Sequence, residues 1–499
     1  MTKVITINFK SDSDALHDVQ NFSGNIFNLL ANDHDCFVFN DLFDQLDTST
    51  LETQYSLNGQ YAYHPKKVVS ILIYGYTHGV FSMRELEKRC NEDLSFMYIA
   101  NMSCPNFRTL NNFRKDNAVF FEEAFMQTVQ LAMELNMASL GHVSFDGSKF
   151  KANSSKHKAM SYSRLKEKEK KLCEDIEALI KQGNDCNNEE DNDYQDKSSY
   201  ELPDELAFKQ SRLATIQSAK KALEAREAVI NPGQDIDDKK QISFADHDAR
   251  IMGKKGGFDY SYNPQISVDK DFQIIVGQHV SQNANDKKEV EAGLESIQNT
   301  TGKFPDIISL DNGYFSAENL KALEASKIET YIATDRQDKK HSETLEESDR
   351  KLVKADFYYD EEKDCFHCPK NEVLTLKNKG TGGKHVYQGD ITVCVNCPLF
   401  SRCSQSKKGE ARTVTADQHE GLRQAMRIKM EQEEAKEIYK RRKVIVEPVF
   451  GQIKNSGFRG FSLRGKEKVA GEFSLVCAAH NIKKMVKAMM MGSVCPTFG

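Results

Sequence analysis

The chain has 499 residues, of which 39% are hydrophobic and 28% are charged. This length suits about three domains, and the composition excludes a wholly disordered chain. No apolar run approaches membrane-spanning length, and the N-terminus has no hydrophobic signal segment, so we expect a soluble cytoplasmic protein with no membrane partner.

The N-terminal part of the chain is predicted to be helical. The first sixty residues give weak signals, but from Pro65 the apolar residues recur at helical spacing in "KKVVSILIYGYTHG" and again up to Leu135 in "AVFFEEAFMQTVQLAMEL". We therefore assign residues 1–135 to an all-helical N-terminal domain.

A strand pattern and a long helical insertion follow. The segment "LGHVSFDGSKF" is apolar-rich and contains Asp146 at the end of the strand pattern, so residues 136–155 are predicted to begin an α/β core. Residues 156–240 form a predicted antiparallel helical hairpin, because two segments carry apolar residues at heptad-like spacing. Those residues are Leu165, Leu172, Ile176 and Leu179, then Leu206, Leu213, Ile216 and Leu223. The acidic stretch 184–196 between them is predicted to be a flexible tip.

The core resumes over residues 241–344. "YNPQISVDKDFQIIVGQHVS" predicts two strands joined by a turn, and "DIISLDNGY" predicts a later strand ending at Asp311. Helical patterns alternate with these strands, which is typical of a mixed sheet with flanking helices.

Five cysteines lie in a predicted insertion at residues 345–412. They include two CxxC pairs whose separation along the chain is typical of a zinc ribbon. Reduced cytosolic thiols in such a cluster favour metal binding over disulfides. We expect a structural Zn²⁺ held by four of five thiolates, with His367 as a competing ligand and reduced, metal-free cysteines as the alternative. The five are Cys365, Cys368, Cys394, Cys397 and Cys403.

The last segment, residues 413–490, contains a long helical pattern and an unusual charge distribution. The net charge of the whole chain is −6, yet twelve Lys and Arg stand against three acids between Tyr439 and Lys487. The stretch from Tyr439 to Gly465 holds one carboxylate, Glu447. A solvated helix face would intersperse acids among the bases. Pro448 predicts a kink or a helix restart at this acid.

Asp146, Asp311 and Glu447 form a candidate metal site. The carboxyl ends of neighbouring strands are where an open α/β sheet presents a site, and carboxylates held together bind hard cations such as Mg²⁺. Taken singly, each acid is more often a turn or capping residue, so the prediction depends on all three. Asp246 and Asp248 are candidates for a supporting role or for a turn, and no histidine is assigned.

Five sequence blocks, in order, resemble the DDE transposases of bacterial insertion sequences, close to the insertion-sequence family numbered 1182. The blocks are "YHPKKVVSILIYGYTHGVFSMRELEKRC" with "CPNFRTLNNFRKDN", then "VSFDGSKFKANSSK", "DHDARIMGKKGGFDYSYNPQISVD", "SLDNGYFSAENL" and "VEPVFGQIKNSGFRGFSLRG". The resemblance covers most of the chain. It implies an RNase H-like core in which Asp146, Asp311 and Glu447 are catalytic and hold two Mg²⁺ or Mn²⁺ ions.

Related transposases also carry a Tyr, Arg, Glu and Lys signature around the third acid. Tyr439, Arg442, Glu447 and Lys454 take these places here, although the interval between Arg and Glu is one residue longer than in the wider superfamily. Arg441 and Lys443 are therefore alternatives to Arg442. Tyr439, Arg442 and Lys454 are expected to contact DNA, together with Arg459 and Arg464.

The resemblance implies a transposase that binds the terminal inverted repeats of its element, cuts DNA and joins the freed 3′-OH to target DNA. The N-terminal helical domain, residues 1–135, is then the candidate for binding the DNA ends. Its partners would be double-stranded DNA and further copies of the chain, as a homodimer or larger assembly on DNA. An inactive DNA-binding relic and a metal-dependent nuclease without strand transfer are the alternatives.

Overall fold

The computed structural model describes residues 25–55, 62–155, 159–190, 201–254, 256–334, 351–380, 383–404, 406 and 408–494. Within these ranges, no helix combines the length and apolarity needed to cross a bilayer. Outside the described residues lie 1–24, residues 191–196 at the end of the acidic stretch, and residues 335–350, which include the end of the predicted core and the start of the predicted cysteine insertion.

Helices fill the N-terminal part of the chain, as the apolar spacing predicts. They are α1 (Asp35–Phe43), α2 (Ser49–Glu52), α3 (Pro65–Thr77), α4 (Met83–Glu92), α5 (Leu94–Ile99), α6 (Phe107–Asp116) and α7 (Ala118–Glu134). Pro65 occupies the first turn of α3, where its missing N–H costs no hydrogen bond.

The central sheet is mixed. Its main path is β7–β6–β1–β8–β9, in which β6 runs antiparallel to both neighbours and β1, β8 and β9 are parallel. The two short strands β2 and β5 pair with the first half of β6. The strands are β1 (His142–Gly147), β2 (Phe150–Lys151), β5 (Arg250–Lys254), β6 (Gly257–Asp269), β7 (Ile275–Ser281), β8 (Ile307–Leu310) and β9 (Glu329–Ile332).

Helices α10 (Val290–Thr301) and α11 (Ala317–Ala325) follow β7 and β8. They stand where the sequence predicts helices between strands. The predicted turn between β6 and β7 also forms, and the two strands pair antiparallel across it.

The helical hairpin is present between β1 and β6. Helices α8 (Tyr162–Glu190) and α9 (Glu201–Ile230) pack together, and the strands β3 (Ala159–Ser161) and β4 (Gln241–Ser243) pair at their base. Leu165, Ile216 and Leu223 of the predicted seams are buried in its own small core.

The cysteine insertion contains a separate antiparallel sheet in the order β10–β11–β12–β13–β14. It extends to Asp417, beyond the predicted boundary at 412, because β14 pairs with β13. Its elements are β10 (Tyr358–Asp360), β11 (Cys365–His367), β12 (Val373–Lys379), β13 (Lys384–Gln388), α12 (Ile391–Val395), α13 (Phe400–Cys403) and β14 (Thr413–Asp417).

The predicted long C-terminal helical segment is divided into shorter helices. Gln432 has extended backbone angles and ends the first of them, and Arg441 and Val446 flank a single helical turn. The restart predicted at Pro448 is confirmed, because a new helix begins at Glu447 with proline in its first turn. The helices are α14 (Glu420–Glu431), α15 (Glu433–Lys440), α16 (Arg442–Ile445), α17 (Glu447–Asn455) and α18 (Lys466–Met490).

Helix α18 joins the N-terminal helices to the central sheet. Its Asn481 side chain bonds both the N–H and the C=O of Ile275, at the start of edge strand β7. On another side, Gly471 lies so close to Ala118 of α7 that an added Cβ would come within 2.6 Å of the backbone. One hydrophobic cluster therefore runs from the N-terminal helices into the sheet.

A buried ion pair reinforces this junction. Arg114 of α6 donates to Tyr76 at 2.7 Å and to Glu472 of α18 at 3.3 Å. Glu472 also accepts the backbone N–H groups of Ser462 and Leu463 at 3.0 and 2.9 Å. The N-terminal helices and the loop before α18 are thereby tied to the same carboxylate.

Candidate active site

Two of the predicted acids lie at one edge of the central sheet. Asp146 is near the end of β1, and Asp311 directly follows β8. The two strands are parallel with Ser144 opposite Ser309, so both acids come two residues after a matched pair. Asp311 accepts the N–H of Gly313 at 2.7 Å and caps a short 3-10 turn. The sheet register thus brings to one edge two acids that are far apart in sequence.

The third acid reaches this edge through an arginine. Arg442 is 5% exposed and donates to Asp146 Oδ1 at 2.9 Å and to Glu447 Oε1 at 3.2 Å. It also donates to the carbonyl oxygen of Phe145 at 3.1 Å. Glu447 is the more exposed acid, with 49% of its side chain accessible. Arg442 therefore links β1 to the first residue of α17.

The helix breaks explain the lengthened interval between Arg442 and Glu447. Continuous helix would place residues five apart on different faces. Instead, α16 is a single turn that ends at Val446, after which α17 starts afresh. This arrangement lets both side chains face Asp146. Arg442, rather than Arg441 or Lys443, is buried at the site, and the other two are exposed.

The electrostatics of this edge favour a cation. Burial raises the pKa of Asp146 to about 6, Arg442 opposes the rise, and the charges of Asp311 and Asp286 add to it. Tyr439 stands near Asp146, Asp311 and Glu447, and burial raises the pKa of its phenol. A second positive charge near Asp146 would stabilise its ionised form.

Asp286 is a fourth acid at this edge, and it was not singled out in the sequence. It lies in the loop before α10 and accepts hydrogen bonds from Asn263 Nδ2 at 2.8 Å and from Gln265 Nε2 at 2.7 Å. A Cβ added to Gly313 would be 3.2 Å from Asp286 Oδ2 and 2.9 Å from Asp311 Oδ1, so the two carboxylates flank that glycine.

Burial raises the pKa of Asp286, and the charge of Asp311 adds to this effect, whereas the amide hydrogen bonds lower it. The only signal in the sequence was an acid in the short segment between β7 and α10. That position is easily mistaken for an ordinary helix cap.

The acids have suitable chemistry for Mg²⁺ or Mn²⁺, which take carboxylate oxygens as ligands. They do not form a tight group: among the described residues, the group of potential ligands within 4.8 Å of one another is elsewhere, at Asp360, Cys365 and His367. Arg442 stands between Asp146 and Glu447 instead. The carboxylate oxygens are ligands that a divalent cation prefers. Such a cation would also offset the cost of burying the negative charges of Asp146 and Asp286.

Lys454 lies beside the acids. Its Nζ donates to Ser148 Oγ at 2.6 Å and stands 5.1 Å from the centre of the Phe150 ring. Burial lowers the pKa of Lys454, whereas the charge of Asp146 opposes that change. This lysine and Glu447 therefore flank the end of β1 from the same helix, α17.

A basic cleft opens beyond Lys454. It has a volume of about 540 Å³ and is lined by Lys151, Arg459, Arg464, hydroxyl and amide side chains, and backbone. In the described part of the chain no carboxylate lines this cleft. Arg464 Nε donates to the Asn153 carbonyl oxygen at 3.0 Å. Such a surface has the charge and hydrogen-bond donors that phosphates require.

Asp246 and Asp248 support the loop that carries these arginines. Asp246 accepts the phenol of Tyr262 at 2.9 Å and the N–H of Gly465 at 3.2 Å. Asp248 accepts the N–H of Lys466 at 2.9 Å. Both acids therefore fix the start of α18, and neither is bonded to Asp146 or Glu447.

The five predicted zinc ligands separate into two places. Cys368, Cys394, Cys397 and Cys403 line one cavity, and Cys365 lies beside Asp360 and His367. All five are free thiols.

Two family models match separate parts of the chain. Residues 365–486 match the family described as "Transposase DDE domain". Residues 25–116 match "Transposase domain (DUF772)". The first match includes Arg442, Glu447 and the cysteine insertion, whereas Asp146 and Asp311 lie outside both. No curated protein and no solved structure gave a match.

Proposed function

Because the two matches show a transposase of the DDE type, we propose that this chain binds the terminal inverted repeats of an insertion sequence and catalyses metal-dependent DNA cleavage and strand transfer. The observation that carries the proposal is the buried contact of Arg442 with both Asp146 and Glu447. It joins a strand-end acid to the acid of the C-terminal basic segment, at the edge where Asp311 also lies.

The proposed catalytic core is RNase H-like. In support, the strand order β7–β6–β1–β8–β9 has an antiparallel second strand, and helices follow β7 and β8. The closer assignment to the insertion-sequence family numbered 1182 rests on the five sequence blocks. Two of those blocks surround Asp146 and Asp311, outside the matched domains.

Asp146, Asp311 and Glu447 are proposed to hold two Mg²⁺ or Mn²⁺ ions, with Asp286 next to them. When bound, such ions activate the attacking oxygen and stabilise the leaving oxygen in phosphodiester cleavage. The protein supplies carboxylates positioned by the β1–β8 register and a hydrogen-bonded support for Asp286 from Asn263 and Gln265.

The basic groups are proposed to bind and orient the DNA backbone. Lys454 stands next to Ser148, two residues beyond Asp146, so a phosphate held by its ammonium would lie near the acids. Lys151, Arg459 and Arg464 would bind neighbouring phosphates along the cleft. Phosphate contacts of this kind position a duplex without reading its sequence.

Arg442 is proposed to have a positioning role. Its contacts hold Asp146 and Glu447 in place before DNA binds, and its positive charge reduces repulsion among the acids. Tyr439, on the preceding helix, lies close to the same acids and would limit water access to them.

The test uses the full chain, Mg²⁺ and labelled DNA that carries the inverted repeats flanking the gene, together with an unlabelled target plasmid. A transposase binds the ends, cuts them and covalently joins label to the plasmid. A nuclease cuts without joining, and an inactive relic only binds. Loss of repeat-specific binding would contradict the proposal as a whole. Size-exclusion chromatography of the protein with the same DNA tests whether a dimer or a larger assembly forms on it.

A further inference from the structure

The cysteine insertion has a small hydrophobic core. Seven buried hydrophobic residues form it, and Cys368 and Cys403 pack against it. The seven are Leu352, Phe357, Phe366, Leu374, Tyr387, Val414 and Ala416. A single hydrophobic core in a unit of this size rarely supplies more than about 3–5 kcal/mol of stability, so small units often add a disulfide or a metal ion. Its described cysteines form no disulfide.

Four thiols surround one cavity next to this core. The cavity has a volume of about 50 Å³, and Cys368, Cys394, Cys397 and Cys403 are in its wall. They come from three elements: Cys368 follows β11, Cys394 and Cys397 lie at and after the end of α12, and Cys403 ends α13. The Cys394 sulfur is also 3.1 Å from the position that a Cβ on Gly389 would occupy.

The strand pleat keeps the fifth cysteine away from this cavity. Side chains alternate between the two faces of a strand. Phe366 points into the small core and Cys368 packs against the same core, so Cys365 and His367 face the opposite side. The pairing of β11 with β12 continues as far as the bond from Cys368 N–H to the Glu372 carbonyl oxygen, at 2.9 Å. Cys365 could enter the cavity only if this pairing were broken.

The first CxxC pair is therefore not a knuckle. The sequence predicts that Cys365 and Cys368 share one side of a tight turn, but Cys365 is in a strand. The tight turn begins at Cys368: Asn371 N–H donates to the Cys368 carbonyl oxygen at 2.7 Å, and Asn371 has φ of 64°. Within the turn, Lys370 N–H points at Cys368 Sγ, 3.3 Å away.

Arg412 lies beside the other thiols. It is in the wall of the same cavity, and its guanidinium donates to the Cys403 carbonyl oxygen at 2.9 Å. Its backbone N–H donates a hydrogen bond to Cys394. A cation and a backbone N–H group therefore face sulfurs that a metal would hold deprotonated.

We propose that Cys368, Cys394, Cys397 and Cys403 bind one structural Zn²⁺ and that Cys365 is not a ligand. Four thiolates complete a tetrahedral zinc site and leave no position for substrate. These sulfurs stand farther apart than a bound ion would hold them, since the described ligand group within 4.8 Å is Asp360, Cys365 and His367. Binding would draw the turn at Cys368 towards α12 and α13. The proposal concerns the folding of the insertion and is independent of the proposed reaction.

Asp360, Cys365 and His367 are the rival site. His367 Nε2 lies 3.9 Å from Cys365 Sγ and 3.7 Å from Asp360 Oδ2. Cross-strand pairing of Asp360 with Cys365 brings these side chains together without a metal. The rival site offers three ligands, of which one is a thiolate, whereas the cavity offers four thiolates. The number of sulfurs bound to the ion therefore distinguishes the two sites.

The first experiment measures zinc and cobalt in the full chain. Purified protein should contain one Zn²⁺, and replacement by Co²⁺ should give the absorption bands of a four-thiolate complex. Cys368→Ser, Cys394→Ser, Cys397→Ser and Cys403→Ser should each weaken metal binding about tenfold or more and reduce the thiolate-to-cobalt band. The matched control Cys365→Ser, with His367→Ala, should keep both zinc and band. Loss of the band in Cys365→Ser would overturn the proposal, as would iron in place of zinc.

A second measurement does not depend on the folding of variants. Thiol alkylation followed by mass spectrometry is performed on the wild-type chain with zinc and after chelation. Zinc should protect the four cavity cysteines more strongly than Cys365, whose labelling should rise on chelation only as far as the insertion unfolds. Labelling of Cys477, in the main core, should not depend on zinc. Equal labelling of the four with and without zinc would contradict the assignment.

Discussion

The acid edge and the cysteine insertion differ in what supports them. The edge formed by Asp146, Asp311, Glu447 and Asp286 belongs to a sheet whose hydrophobic cluster extends from Cys36 to Ala488. The hydrophobic cluster of the insertion has seven buried residues in the described chain between Lys351 and Asp417. Each buried side chain contributes about 1.5–3 kcal/mol, whereas each ordered residue costs about 1–2 kcal/mol of backbone entropy. We therefore expect the first region to fold without a metal and the second to need a further source of stability.

This difference separates two uses of a metal ion. At the acid edge, burial and neighbouring negative charges destabilise the ionised forms of Asp146 and Asp286. The sheet and its loops nevertheless position both side chains at this edge. A cation at that edge would serve chemistry. In the insertion the thiols surround a cavity beside a small core, so a cation would serve folding. Removing either metal should therefore have a different consequence.

The largest effect is expected from Glu447→Gln. The change removes the charge that is proposed to bind metal but keeps the size and hydrogen bonding of the side chain, so cleavage should fall roughly 10³-fold or more. Binding to end DNA should persist, since the basic cleft is unchanged. Cleavage of labelled ends in Mg²⁺ and a gel-shift assay measure the two quantities. Glu434→Gln, on α15, is the control, and normal cleavage by Glu447→Gln would refute the catalytic assignment.

Zinc removal should affect the other region. A zinc-selective chelator should make the chain from Lys351 to Asp417 exchange its amide hydrogens rapidly, because metal binding provides its folding free energy. The main core should keep its protection, since none of the four cavity cysteines belongs to it. Hydrogen exchange with mass spectrometry makes this comparison. Unchanged protection in the insertion would show that its hydrophobic core is sufficient.

Asp286→Asn is expected to have an intermediate effect. The substitution keeps one oxygen for the hydrogen bonds from Asn263 and Gln265 but removes a charge beside Asp311, so Mn²⁺ affinity and cleavage should both fall about 10–100-fold. Electron paramagnetic resonance titration of Mn²⁺ reports binding without turnover. Asp271→Asn, in the exposed turn after β6, is the matched control. Wild-type Mn²⁺ affinity in Asp286→Asn would mean that this acid only supports the loop.

A smaller effect should appear in the pH dependence of stability. The pKa of Asp146 is raised to about 6 from its ordinary 3.8, so the folded state binds the proton more tightly and stability should fall as pH rises from about 4 to 6. Mg²⁺ competes with that proton. It should therefore raise Tm by about 2 °C or more at pH 7.5, and much less at pH 5.

Differential scanning fluorimetry with and without Mg²⁺ measures this difference at both pH values. Asp146→Asn should remove the pH dependence of the Mg²⁺ effect. Equal Mg²⁺ stabilisation at pH 5 and pH 7.5 in the wild type would contradict a metal site that includes Asp146.

The smallest expected change is from Lys454→Ala. Loss of one phosphate contact should weaken binding to all DNA sequences similarly and reduce the salt dependence, log Kd against log salt, by about 0.9. Fluorescence anisotropy across a salt series measures the slope. Lys171→Ala, on the helical hairpin, should leave the slope unchanged. An unaltered slope in Lys454→Ala would place this lysine outside the DNA interface.

Local patterns predicted most of the central elements. β1, the β6–β7 pair, β8 and the helices after β7 and β8 follow from alternation and helical spacing over short windows. The helix restart at Glu447 follows from Pro448, because proline limits the conformation of the preceding residue. What these elements share is that their residues interact with neighbours in sequence.

The remaining features depend on partners distant in sequence. Nothing near Gln432 or Arg441 marks the breaks in the C-terminal helical segment, where Arg442 turns inward to reach β1. Asp286 gains its position from amides on β6. Cys365 is excluded from the cavity by the pairing of β11 with its neighbours, which spacing between cysteines does not reveal.

Helix α18 gives the molecule a fixed internal distance. It packs on the N-terminal helices and borders β7, and Glu472 ties α6 to the loop bearing Arg459 and Arg464. If the N-terminal helices recognise the repeat, as expected from the sequence, the cut would fall a constant number of base pairs from it. The distance between the repeat-binding helices and the acid edge would then set the cleavage position, and the bases at the cut could vary freely.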